Sequence, residues 1–165
     1  MRESDYPNNH FDGLNDIAIA LYRQWLQLYQ DKFTSFQYNV RVGQGLDPGP
    51  NASDSMRAMW KSVTTKRIDV VAERPGETWV IEIEPRPGAR TLGQVVLYMD
   101  LLPKYYPAQA QQIGAVVCEY MGYDMFASFH DRNHFIFKFQ PGYKPSLPPQ
   151  FLPSVASTDY TVASQ

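Results

Sequence analysis

Three carboxylates on two consecutive predicted strands are the residues whose types and spacing could do chemistry. Asp69 lies on the first strand, and Glu82 and Glu84 lie on the second. The turn at residues 74–77 sets an antiparallel register in which Asp69 faces Glu82 and Arg67 faces Glu84. Two like charges directly opposite each other destabilise a strand pair unless one is protonated or a cation lies between them. Mg²⁺ binds such carboxylates together with water and phosphate oxygens, so the spacing predicts a metal site suited to phosphodiester hydrolysis.

A structural role is the alternative for the same face of the hairpin. Its carboxylates would then be neutralised by nearby cations, for which Lys66, Arg67 and Arg86 are the candidates. Arg67 opposite Glu84 fits this interpretation. The other face of the hairpin is wholly apolar and is predicted to lie in the core. Its members are Ile68, Val70, Ala72, Trp79, Ile81 and Ile83.

The helix predicted after the hairpin carries a second row of polar side chains. Arg90, Gln94 and Tyr98 recur at i, i+4 and i+8 and therefore share one line of the helix. Only residues 85–88 separate this helix from the second strand, so the line begins near the carboxylates. A cation, an amide and a phenol in a row can hold a phosphate or a nucleotide, and an exposed polar face is the alternative. The core stripe of the helix is predicted to contain Ala89, Leu92, Val96 and Met99.

Hydrophobic periodicity and turn residues predict the elements that position these side chains. The predicted helices are about Leu14–Gln30, Ala89–Leu102 and Tyr123–His130, with a helical turn at Met56–Trp60 that closes a long loop. The predicted strands are Phe36–Val42, Arg67–Glu73, Thr78–Glu84, Ile113–Cys118 and His134–Phe139. This order predicts an α/β fold with a mixed central sheet flanked by helices, over residues 1–139. Residues 140–165 are rich in proline and are predicted to form an extended tail, held by its own domain or by a neighbouring subunit.

Composition excludes several classes of protein. The chain has 165 residues, of which 19% are charged, and a net charge of −2, so no bulk positive field marks it as a nucleic-acid binder. Its single cysteine, Cys118, excludes an internal disulfide and a zinc site built on cysteine pairs. No run of apolar residues is long enough to span a membrane, and no signal-peptide pattern opens the chain. We therefore expect a cytoplasmic protein, with a virion as the alternative location.

The segment RIDVVAERPGETWVIEIEPRPGARTLGQVVLY, residues 67–98, resembles the core of the PD-(D/E)xK nuclease superfamily. Asp69 matches the first acid of that signature, Glu82-Ile83-Glu84 lies at its (D/E)-x-K position, and Gln94 and Tyr98 match its Q-x-x-x-Y helix motif. The resemblance implies a restriction-endonuclease-like αβββαβ core that hydrolyses DNA. Asp69, Glu82 and the Ile83 carbonyl would ligate Mg²⁺ or Mn²⁺, and Glu84 would orient or activate water. Gln94, Tyr98 and Arg90 would position the phosphate backbone.

Two departures from the family pattern leave a second function open. Glu84 replaces the lysine of the family, although a few restriction endonucleases similar to this chain carry Glu-x-Glu and remain active. The first helix offers only Asp12 and Asp16 where the family often has a further acid. Proteins of this fold are also reused without activity. The alternative is therefore a catalytically inactive structural or adaptor component of a larger assembly, such as a phage particle or neck, as a homo-oligomer or with other proteins.

Overall fold

The computed structural model describes residues 14–107 and 111–139 as an α/β fold. Its α-helices are α1 (Asp16–Tyr29), α2 (Asp54–Thr64), α3 (Ala89–Tyr105) and α4 (Tyr123–His130), with a short 3₁₀ turn at Gln30–Lys32. Its strands are β1 (Ser35–Val42), β2 (Lys66–Arg74), β3 (Glu77–Ile83), β4 (Gln111–Cys118) and β5 (Phe135–Lys138). The predicted order of elements is confirmed, and α2 is longer than the predicted helical turn. No helix among these residues is long and apolar enough to cross a membrane. Asp12 and the predicted tail, residues 140–165, lie outside the described residues.

The sheet is mixed, as predicted, with the strand order β1-β2-β3-β4-β5. β1, β2 and β3 pair antiparallel, whereas β3, β4 and β5 pair parallel. The tight turn of the β2–β3 hairpin contains Gly76 at φ +82°, a conformation that glycine adopts without strain. The predicted register is confirmed where the ladder forms, since Val71 pairs with Val80 and Glu73 with Thr78. Because β3 and β4 run parallel, α3 must cross the sheet between them.

Apolar residues cover both faces of the sheet. On the first face, α1 packs an aromatic cluster against the strands. The centre of the Trp25 ring lies 5.4 Å from that of Phe33 and 5.7 Å from that of Phe137. On the second face, α3 packs Tyr98 and Leu102 against apolar residues of the antiparallel strands. A further cluster surrounds Phe129 of α4 on the same side as Val95. The sheet is therefore a central layer between helices, with an apolar cluster on each of its faces.

The single apolar face predicted for the hairpin is wrong at Ile68. Val70 packs with the α1 cluster, whereas Ile68 packs with the α3 cluster, although two residues apart should share a face. The neighbouring strand changes face at the same place, because Tyr38 lies against the α1 cluster and Val40 in the α3 cluster. Asn39 between them has φ +50°, which interrupts the regular alternation of β1.

The core stripe predicted for α3 is rotated by one residue. Its buried residues are Thr91, Val95, Tyr98 and Leu102, whereas Ala89 and Val96 are exposed. Two of the buried residues are polar in type but have their polar atoms satisfied. The Thr91 hydroxyl accepts the Gly88 N–H at 3.4 Å, and the Tyr98 hydroxyl accepts the Gln94 side-chain N–H at 3.1 Å. Such satisfied groups can be buried at low cost, so the stripe includes them.

Gly114 of β4 lies where α3 packs closely on the sheet. A Cβ atom there would lie 2.6 Å from the Val95 Cγ1 atom, 2.7 Å from the His134 Nδ1 atom and 2.8 Å from the Met99 Sδ atom. We expect Gly114→Ala to lower the free energy of unfolding by about 1–3 kcal/mol in urea denaturation, because overpacking forces buried neighbours apart. The matched control is Gly93→Ala on α3, where a Cβ atom meets nothing within 4 Å. That variant should gain up to about 1 kcal/mol, and an equal response of both variants would contradict the close packing.

Candidate functional site

The candidate site begins where β2 and β3 separate. Their ladder ends at the pair Val70–Ile81, so Asp69 and Glu82 are not the ladder pair that the sequence predicts. Their side chains instead bridge the gap between the strands. The Ile83 N–H donates to the Asp69 Oδ2 atom at 2.9 Å, and the Asp69 N–H donates to the Glu82 Oε1 atom at 3.2 Å. Each carboxylate is thus held by the backbone of the opposite strand.

The local break in β1 explains why Asp69 is available for this role. The β1–β2 register passes from Tyr38–Val70 to Val40–Ile68 and places Asn39 across from Asp69 without a ladder pair. Asn39 adopts φ +50° at this point. Because neither neighbouring ladder is regular here, the Asp69 carboxylate can turn toward the β3 backbone. The interruption lies within both strands and resembles the bulges that re-aim side chains in other sheets.

Burial disfavours the ionised form of both carboxylates. It raises the pKa of Asp69 from 3.8 to about 6, and the charge of Glu84 adds to this effect while the Ile83 N–H opposes it. Glu82 is only 5% exposed, and burial, followed by the charge of Asp69, raises its pKa well above the usual value. A buried acid beside a half-buried one favours any positive charge that can reach them, whether a proton or a metal ion.

Glu84 is exposed and follows the last residue of β3. Its N–H donates to the Val117 carbonyl at 3.0 Å, which ties the strand end to β4. The predicted pairing of Glu84 with Arg67 does not form, because the β2–β3 ladder ends at Val70–Ile81. The ion pairs among the described residues are elsewhere, and none involves Glu84, Arg67, Lys66 or Arg86. The interpretation in which these cations neutralise the acidic face therefore has no contact to support it in the described part of the chain.

The row of polar residues on α3 runs from the surface into the core. Arg90 is exposed, and its charge lies close enough to Glu82 to favour the ionised carboxylate. Tyr98 is 3% exposed, so the prediction of a wholly exposed alternative face is wrong at this end. Burial raises the pKa of Tyr98, and the charges of Glu82 and Asp69 raise it further. All three predicted residues therefore lie along one helix beside the acidic pair, with only Arg90 and the half-buried Gln94 reachable from solvent.

The donor set of the acidic pair fits a hard divalent cation. The Asp69 Oδ1 and Glu82 Oε2 atoms accept no hydrogen bond from the residues that the structure describes. Two carboxylate oxygens and the adjacent Ile83 carbonyl would leave the remaining positions of Mg²⁺ to water and substrate, as this ion prefers. Within residues 14–107 and 111–139, no group of three or more His, Cys, Asp or Glu side chains is arranged to hold a metal ion. The candidate is therefore a pair of acids that a substrate phosphate would complete.

The connection between β4 and α4 forms the neighbouring rim of the site, which the sequence did not single out. The N–H groups of Glu119 and Tyr120 both donate to the Pro85 carbonyl at 3.0 Å, directly after Glu84. Tyr120 and Tyr123 are 59% and 83% exposed on this connection. The sequence does carry a signal for this rim, because two tyrosines flank a glycine-containing turn shortly after a buried strand.

Residues 44–62 contain a loop that folds onto α2. Arg57 donates to Asp47 at 2.7 Å and to the Gly49 carbonyl at 2.8 Å, and the Leu46 N–H donates to the Thr64 hydroxyl at 2.7 Å. No residue of α2 is buried. Its apolar residues are all exposed in part, at i, i+3, i+4 and i+7: Met56, Met59, Trp60 and Val63.

The described geometry thus joins a buried glutamate, a half-buried aspartate, an exposed glutamate, an arginine and an aromatic rim at one end of the sheet. Comparisons of the chain with protein-family models, with curated proteins and with solved structures found no match. What the site does has to be argued from the chemistry of its own residues.

Proposed function

We propose that this protein is a metal-dependent DNA phosphodiester hydrolase with a restriction-endonuclease-like core and a Pro-rich C-terminal extension. The observation that carries the proposal is the reciprocal bridge between β2 and β3, in which the Asp69 and Glu82 carboxylates converge. Their raised pKa values mean that a divalent cation would stabilise the ionised pair. The order of elements and the motif residues on α3 agree with the PD-(D/E)xK nuclease superfamily that the sequence resembles.

The residues of the chain take separate roles in this proposal. Asp69, Glu82 and the Ile83 carbonyl would hold Mg²⁺ or Mn²⁺, which, when bound, supplies a Lewis acid that stabilises negative charge on the phosphodiester. Glu84 is exposed beside the pair and would accept a proton from the attacking water. The water oxygen bonds to phosphorus as the opposite phosphorus–oxygen bond breaks. Arg90 would contact a phosphate of the DNA, since its guanidinium is the accessible cation of the α3 row.

Gln94 and Tyr98 would act as positioning residues. Tyr98 is buried against the strands, and its hydroxyl accepts a hydrogen bond from the Gln94 side chain. The pair fixes the middle of α3 relative to the hairpin, because Tyr98 packs with Val71 and Val80. Gln94 is half-buried, and its side-chain oxygen would accept a hydrogen bond from a ligand at the site.

A structural or adaptor component of a larger assembly is the second candidate function. The exposed apolar row on α2 favours it, because four such residues at helical spacing form a continuous stripe that soluble proteins usually cover. In that case the acidic pair would have no catalytic role, and the protein would assemble through α2 as a homo-oligomer or with other proteins. Its location would then be a virion, whereas the hydrolase is proposed for the cytoplasm.

Cleavage of DNA distinguishes the two candidates. The native protein is incubated with supercoiled, linear duplex and single-stranded DNA in Mg²⁺, in Mn²⁺ and in EDTA. The hydrolase predicts nicked or shortened products in either cation and none in EDTA. Folded protein that cuts nothing in either cation would favour the assembly candidate, and its oligomeric state would then be measured with and without a Trp60→Ser substitution on α2.

A further inference from the structure

The end of the sheet presents two exposed tyrosines and a lysine next to the candidate site. The row Ile83–Val117–Phe137 crosses β3, β4 and β5, so the residues one step further along, including Glu84 and Lys138, lie at the same end. Two strand spacings separate β3 from β5, or about 10 Å. The Lys138 Nζ atom lies 5.6 Å from the centre of the Tyr120 ring. Tyr120, Tyr123 and Lys138 are called the tyrosine rim below.

The backbone holds the tyrosine rim in a fixed relation to the carboxylates. Tyr120 and Glu119 both donate to the Pro85 carbonyl, and the Phe139 N–H donates to the Cys118 carbonyl at 2.8 Å. Tyr123 is the first residue of α4, whose buried Phe129 anchors the helix against α3 and β5. The two rings are therefore presented to solvent by an anchored connection.

We infer that the tyrosine rim is a stacking platform for unpaired bases, and that the substrate is single-stranded DNA. This inference rests on the proposed function and names its substrate class. An aromatic ring stacks on the face of an unpaired base, whereas the bases of a duplex have their faces covered by their neighbours. The Tyr120 N–H donates to the carbonyl of Pro85, the residue directly after Glu84, so the platform adjoins the candidate site. A base on Tyr120 would thus belong to the same short stretch of DNA as the phosphate at Glu84.

The charges around the rim favour stacking over backbone attraction. Lys138 and the exposed Arg86 are positive, but Glu119 and Asp124 on the same connection and helix are negative. The local charge is balanced, so few phosphates are neutralised and the affinity should fall only slowly with salt. The base faces then have to supply the larger part of the binding, which two exposed rings can do.

Binding to matched oligonucleotides tests this inference in EDTA, where a metal-dependent site cannot cut the probe. The probes are a short fluorescent oligothymidylate and the same oligomer with abasic spacers in place of its bases. We expect the native protein to bind the oligothymidylate at least about fivefold more tightly, the lower limit for stacking of one base. Tyr120→Ala with Tyr123→Ala should bind both probes alike, whereas Tyr120→Phe with Tyr123→Phe should keep the preference.

Tyr105→Ala is the matched control, because it removes a 41% exposed tyrosine at the last residue of α3, whereas the candidate site adjoins the first turn of that helix. It should keep the preference for bases. The inference is overturned if the native protein binds both probes equally, if the double alanine variant keeps the preference, or if a duplex binds more tightly than the single strand. A native protein that prefers bases but cuts no DNA in Mg²⁺ would support the platform while overturning the hydrolase, so the two failures are distinguishable.

Discussion

Replacing Asp69 by asparagine is expected to lower the rate of Mg²⁺-dependent DNA cleavage by at least about 1,000-fold. The asparagine Oδ1 atom can still accept the Ile83 N–H, so the bridge between the strands is kept. What is lost is one of the two negative charges that would hold the cation. Metal ions contribute several kcal/mol of transition-state stabilisation, and each 1.4 kcal/mol changes a rate about tenfold. The measurement is the initial rate of cleavage of a single-stranded DNA.

Asp100→Asn is the control for this variant, since it neutralises an exposed aspartate on α3, about 15 Å along the helix from Arg90. It should cleave at the rate of the native protein. Circular dichroism checks that both variants are folded. Cleavage by Asp69→Asn at the native rate would remove the acidic pair from the mechanism, even if the protein proved to be a nuclease.

The same substitution is expected to stabilise the metal-free protein above neutral pH. The pKa of Asp69 is raised to about 6 in the folded state, so folding disfavours its ionised form. Its stabilising contribution is therefore complete below about pH 4 and is lost as the pH rises through about 6. At about 1.4 kcal/mol for each pH unit, the loss amounts to about 3 kcal/mol. The raised pKa of Glu82 acts in the same direction.

Urea denaturation in EDTA at about pH 4 and about pH 8 measures this effect. The difference in the free energy of unfolding between Asp69→Asn and the native protein should increase with pH in favour of the variant, by about 3 kcal/mol. Asp100→Asn should show no comparable change relative to the native protein. A variant that loses stability relative to the native protein at the higher pH would show that the ionised Asp69 is stabilised by a partner, contrary to its burial.

The hairpin and the order of elements could be predicted because local signals determine them. The turn around Gly76 sets the register, and period-two alternation identifies the strands that the register joins. The carboxylates also come together as the sequence predicts. How they meet could not be predicted, because the ladder stops at Val70–Ile81 and side-chain bridges replace it. A simple alternation assumes that the ladder continues.

Two predictions were wrong at polar residues: the core stripe of α3 and the regular alternation of β1. The sequence pattern places Tyr98 on the polar row of α3 and leaves Thr91 out of the core stripe, but both are buried and their hydroxyls have partners. The predicted strand Phe36–Val42 includes Asn39 as a regular member, but the positive φ of Asn39 turns the following side chains to the other face of the sheet. Pairing partners and backbone angles of this kind depend on the folded chain, and hydrophobic patterning does not record them.

The central claim is that the Asp69–Glu82 pair binds a divalent cation, and titration of Mn²⁺ in a calorimeter at about pH 8 tests it most directly. Native protein and Asp69→Asn are titrated with and without a short single-stranded oligonucleotide, and the heat of the oligonucleotide alone is subtracted. The native protein should bind Mn²⁺ more tightly when DNA is present, and Asp69→Asn should show no binding. Equal binding by the two proteins, or no binding by folded native protein even with DNA, would contradict it.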